Sequence, residues 1–114
     1  MTLSPYMRRK LEERDPYCWH CGDTNDLVIH HRKNRGMGGS KFIDVYENLI
    51  RVCSEYNNNM EAHSHIAEQA RDWGHKLASW QGFDEAIYDC CDGEWYRLAA
   101  DGTKETIWKP ISLF

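Results

Sequence analysis

HHRKNRGMGGSKFIDVYENLIRVCSEYNNNMEAHSH, residues 30–65, is the stretch whose reading decides the fold. It holds four of the six histidines (His30, His31, His63 and His65) and begins where a short apolar run, Leu27, Val28 and Ile29, ends. Residues 27–32 therefore predict a strand and residues 49–53 its return, with a basic, glycine-rich loop at 32–40 between them. Beyond the return the period changes. Ala62, Ile66, Ala70, Trp73 and Leu77 recur at three and four residues, which predicts one helix from about Asn58 with a single buried stripe. On such a helix Asn59 and His63, four apart, share the face beside the stripe. Strand, loop, strand and helix in this order gather imidazole and amide groups around one cation.

Upstream, Cys18-Trp19-His20-Cys21-Gly22 has the form of a knuckle in which two thiolates hold one zinc. Cys53, at the end of the second strand, is placed to join them. The bland reading is three free, packed thiols. Five cysteines make an odd number, which argues against a disulfide framework and for metal binding or free thiols. Ser4-Pro5 starts a helix, with Ser capping free N–H groups and Pro suited to the first turn, and Asp15-Pro16 stops it. Its Arg8, Arg9, Lys10 and Arg14 form either a solvated face or a set of phosphate contacts. Downstream, residues 79–85 are a connection, and residues 94–98 and 105–108 around Asp101-Gly102 predict a β-hairpin. Cys90-Cys91 reads as strand packing.

A chain of 114 residues with 41% apolar and 28% charged residues predicts one small soluble domain, residues 1–114, with a core modest enough to gain from a structural metal. No apolar run is long enough to span a membrane and the first residues lack the apolar core of a signal peptide, so the expected location is cytoplasmic. The net charge of −4 is unevenly spread. Residues 1–53 carry nine Lys/Arg against seven Asp/Glu, and residues 54–114 five against eleven. A phosphate-binding surface therefore belongs to the first half, where the loop glycines let backbone approach a phosphodiester and Arg32, Lys33 and Arg35 supply charge.

His30-His31, RGMGGS at 35–40, ENL at 47–49 and the preceding Cys18-x-x-Cys21 resemble an HNH endonuclease of the small phage type, in an HNN-like variant, over about residues 14–73. The resemblance implies an α+β fold: a ββα-metal core at about 14–73, an N-terminal helix, and a C-terminal β-hairpin at about 86–109. It implies a metal-dependent DNA endonuclease hydrolysing or nicking phosphodiesters in host cytoplasm. His30 would then be a metal ligand, His31 the general base and Asn48 the group that holds the base's ring. Asn59 and His63 would complete the cation site, with Asn57 in place of Asn59 as the alternative, since the Asn48-to-Asn57 spacing also fits the family. An amide oxygen among the ligands favours Mg²⁺ or Mn²⁺. Cys18, Cys21 and Cys53 would hold structural zinc, with His20 or a residue at 54–60 standing in for the family's missing fourth cysteine. Most of the family has a Cys-His pair and a third histidine where this chain has asparagines. That departure keeps open a degenerate HNH fold that binds DNA or a protein without cutting; a separate reading is a zinc-knuckle module whose acidic second half binds a basic partner.

Overall fold

A computed structural model describes residues 3–33 and 43–108, which form a small α+β domain of three helices and two antiparallel sheets. Helix α1 (Pro5–Arg14) begins as expected, with Ser4 Oγ accepting the Met7 N–H at 3.1 Å, and Asp15 closes it. Strand β1 (Leu27–His31) pairs with β2 (Leu49–Cys53), His30 opposite Ile50 and His31 opposite Leu49. Because side chains alternate across a strand, this ribbon has two apolar faces. Ile50 and Val52 join a core with Trp19, Tyr56, Met60 and Ala70, while Leu49 packs with Leu3 and Leu11 beneath α1. The same alternation sends His30 and His31 to opposite faces.

The helical segment is divided where periodicity predicts one rod. It starts at the strand end as α2 (Ser54–Ala62), breaks at His63, and resumes as α3 (Ser64–Asp72). Cys53 sets the start, its sulfur accepting the Tyr56 N–H at 3.4 Å. The buried positions are Tyr56 and Met60 in α2, and Ala67 and Ala70 in α3. An unbroken stripe would run through position 63, three after Met60 and four before Ala67, and there the sequence has an imidazole. His63 instead lies extended (φ −128°, ψ 117°) and exposed, and Ala62 is exposed as well.

Downstream, the expected hairpin is one edge of a three-stranded sheet. Strands β4 (Glu94–Leu98) and β5 (Lys104–Ile107) flank Asp101-Gly102, where Gly102 takes φ +89°, and β3 (Ile87–Asp89) adds the third strand. Three residues were too short a run to read. Cys90 and Cys91 lie just after β3, at the turn towards β4.

Two buried arginines tie these parts together. Arg14, expected on a charged face, bonds Asp15, the Tyr46 carbonyl and the Leu49 carbonyl, fastening α1 to β2. Arg32 is only 1% exposed. Its guanidinium donates to Gly74 O (2.8 Å), Glu47 O (3.0 Å), Glu85 O (2.8 Å), Phe83 O (3.3 Å) and Ala86 O (3.4 Å). Burial lowers its pKa to about 10, which leaves it charged at neutral pH. Gly74, at φ +75°, lets the Ala86 backbone come close; a Cβ there would meet Ala86 O at 2.2 Å. Arg32→Met, which keeps volume but removes every donor, is predicted to lower the unfolding free energy by ~3 kcal/mol or more through stranded carbonyls. Arg32→Lys should recover only part. Denaturant titration checks this, and an unchanged midpoint for Arg32→Met would contradict it.

Candidate metal centre and imidazole pair

On the α2 face of β1, His30 is buried, with a polar neighbour at each nitrogen. Nε2 lies 3.0 Å from the His75 carbonyl oxygen and Nδ1 lies 3.2 Å from Asn57 Oδ1. A carbonyl accepts only a proton, so Nε2 carries N–H and Nδ1 presents its lone pair to Asn57. That is the arrangement a metal-binding imidazole needs, with one nitrogen fixed by a carbonyl and the other available. The spacing suits a shared cation: two cis ligands at ~2.1 Å from one octahedral ion stand ~3 Å apart. Burial pushes the His30 pKa down to about 4, so the ring is neutral at pH 7 and able to ligate.

On the opposite face, His31 Nε2 lies 2.7 Å from Asp44 Oδ1, with both side chains largely covered. With Nε2–H given to the carboxylate, Nδ1 is the basic nitrogen. Asp44 was not singled out by sequence. It belongs to no motif spacing, and only the return of the chain before the short 3₁₀ turn at Tyr46–Asn48 brings it to β1.

Several expectations are corrected by these contacts. Asn48 does not hold the His31 ring. Fully buried, it accepts the Lys33 N–H at 2.7 Å and donates to Lys33 O (3.1 Å) and Ile43 O (2.9 Å), clamping the two ends of the loop segment. Asn57, the alternative, is the amide that reaches His30, whereas Asn59 lines a cavity near Cys21 and Cys53. His63 does not share a helical face with Asn59, because the break places it outside α2; its ring lies 5.8 Å from that of His65. Arg32, expected to face DNA, is buried with its donors spent on carbonyls. Lys33 Nζ lies 4.9 Å from the Phe83 ring centre, and Arg35 falls outside the described residues. Glu61, exposed on α2, lies one turn beyond Asn57 on the same side of the helix.

The three cysteines do converge. The sulfurs of Cys18, Cys21 and Cys53 lie within 4.8 Å of one another, and those of Cys21 and Cys53 are 3.7 Å apart. Two thiolates on tetrahedral zinc at ~2.3 Å stand ~3.8 Å apart, so the corner has the dimensions of a zinc site and can hold a metal ion. Burial, together with the adjacent Cys18 and Cys53, pushes the Cys21 thiol up to about 11, and a bound cation would reverse that cost. Gly22, at φ +78°, lets the knuckle turn against Cys91, whose sulfur would be 2.8 Å from a Cβ there. Beside the corner is a cavity of about 360 Å³ lined by His20, Cys21, Cys53, Asn59 and His65 among others.

No family model, curated protein or solved structure matches the chain. Among the described residues, no helix is long and apolar enough to cross a membrane.

Behind His30, the His75 ring takes the Tyr56 O–H at Nδ1 (2.7 Å) and lies 2.8 Å from Tyr88 O through Nε2. Burial lowers its pKa to about 3. Both rings therefore protonate less readily folded than unfolded, where the value is ~6.5. Their neutral state supports the fold fully above pH ~6.5, and stability is lost as pH falls below it, by up to ~1.4 kcal/mol per unit for each ring. Denaturation midpoints at pH 7 and pH 5, above the main carboxylate range, should differ clearly; equal midpoints would contradict the buried neutral assignment.

Proposed function

We propose that this chain is a divalent-metal-dependent DNA endonuclease of the HNH type, built on β1, β2 and α2 as a ββα-metal core. The observation that carries the reading is the division of labour at one strand end. His30 turns to Asn57 on one face with the spacing of a ligand pair, and the next residue, His31, turns to Asp44 on the other as an oriented base. Glu61, a hard carboxylate one turn after Asn57, is the third ligand in place of His63, and oxygen donors favour Mg²⁺ or Mn²⁺.

The chemistry then follows from the side chains. His31 Nδ1 takes a proton from water as the water oxygen bonds to phosphorus, and the bond to the leaving oxygen breaks with its electron pair. Asp44 holds the ring and stabilises the imidazolium that forms. His30, Asn57 and Glu61 would hold a divalent cation, which when bound would supply stabilisation of the charge developing on phosphorus and the leaving oxygen. With Arg14 and Arg32 buried, Lys33 and the exposed Arg8 and Arg9 are among the cations left in the first half of the chain to face a DNA backbone. The thiol corner takes structural zinc, which anchors the knuckle to the end of β2.

Plasmid nicking in Mg²⁺ or Mn²⁺ tests this reading. His31→Ala should lower the rate by roughly 10²–10⁴ while metal binding persists. Asn57→Ala should weaken the metal, with partial rescue by excess Mn²⁺ through mass action. Asn59→Ala and His63→Ala should cut like the parent. A parent protein that binds DNA but cuts no form of it in either metal would establish the binding-only alternative instead.

A further inference from the structure

Structural zinc is four-coordinate, and the corner offers three sulfurs. We propose that His20 is the fourth ligand, completing a Cys3His site; the inference rests on the zinc reading above. The position that mirrors Cys18-x-x-Cys21 is Tyr56, three after Cys53, but its phenol points away and donates to His75 Nδ1. Cys90 is held by its backbone, its N–H donating to Trp19 O at 3.0 Å, and neither Cys90 nor Cys91 belongs to the sulfur cluster or lines the cavity beside it.

His20 lies inside the knuckle and lines the cavity together with Cys21 and Cys53. Its backbone N–H already donates to Cys18 Sγ at 3.3 Å. Its ring stacks flat on Tyr56, centres 4.0 Å apart and planes within 5°, and Tyr56 in turn donates its N–H to Cys53 Sγ. The imidazole therefore lines the same cavity as two of the three sulfurs. It lies outside the 4.8 Å cluster, so ligation requires it to leave the Tyr56 stack and turn through the cavity.

Zinc content, competition with a chromophoric chelator, and the visible spectrum of the cobalt-substituted protein test the assignment. The parent should bind one equivalent of zinc at this corner, and Cys18→Ser should abolish it. His20→Ala should weaken zinc at least about 10-fold, since even groups that merely orient a ligand contribute 10–100-fold, and should shift the cobalt bands. His20→Phe, which preserves the stack without a donor, should behave like His20→Ala, and His20→Cys should restore tight binding. Cys90→Ser, Cys91→Ser and His65→Ala should match the parent. Loss of zinc affinity in one of those three, or parental affinity in both His20→Ala and His20→Phe, would overturn the proposal. A parent protein with reduced thiols that binds no zinc would overturn the zinc reading itself.

Discussion

One guanidinium determines where the candidate site sits. Arg32 follows His31 directly, and its donors reach the carbonyls of Glu47 before β2, Gly74 after α3, and Phe83, Glu85 and Ala86 before β3. Charged hydrogen bonds to carbonyls are strong, and their cost if broken in a buried place is large. The end of β1 is thus fixed to three separate stretches at once. The adjacent backbone joins in, Arg32 N–H donating to Asn48 O and Leu77 N–H to Arg32 O, both at 2.7 Å. The anchor fixes the backbone from which His30 and His31 project.

From that anchor the rest can be followed outward. The pleat places His30 towards α2 and His31 away from it, so two identical side chains acquire different partners and different chemistry. Tyr56 and His75 form the layer behind His30, linking that imidazole to the second sheet through Tyr88. The same Tyr56 occupies the place where a second knuckle would carry its last thiolate. One residue therefore separates the candidate hydrolytic centre from the thiol corner and touches both.

The strand pair, the N-terminal cap and the convergence of three cysteines were legible in sequence because each is local or rests on a short, regular spacing. Ser4-Pro5 needs only its own first turn, and β1 and β2 are marked by apolar runs. The partners of the histidines were not legible. Asn57, Asn58 and Asn59 differ only by rotation about a helix axis, and the choice among them turned on where α2 begins, which the Cys53 cap decides. Reading the helix through His63 made Asn59 and His63 look like a pair. Arg32 looked like a DNA contact because a basic residue in a glycine-rich loop gives no sign that five distant carbonyls await it. Asp44 was invisible for the same reason, since its meeting with His31 is made by the chain's return.

The central claim is that one divalent cation lies between His30 and Asn57. Anomalous scattering from a crystal soaked in Mn²⁺ measures its position directly. The account predicts a single strong peak about 2.1–2.3 Å from both His30 Nδ1 and Asn57 Oδ1, with Glu61 turned towards it. A peak at Asn59 and His63, or on the acidic surface of the second half with none at His30, would contradict it.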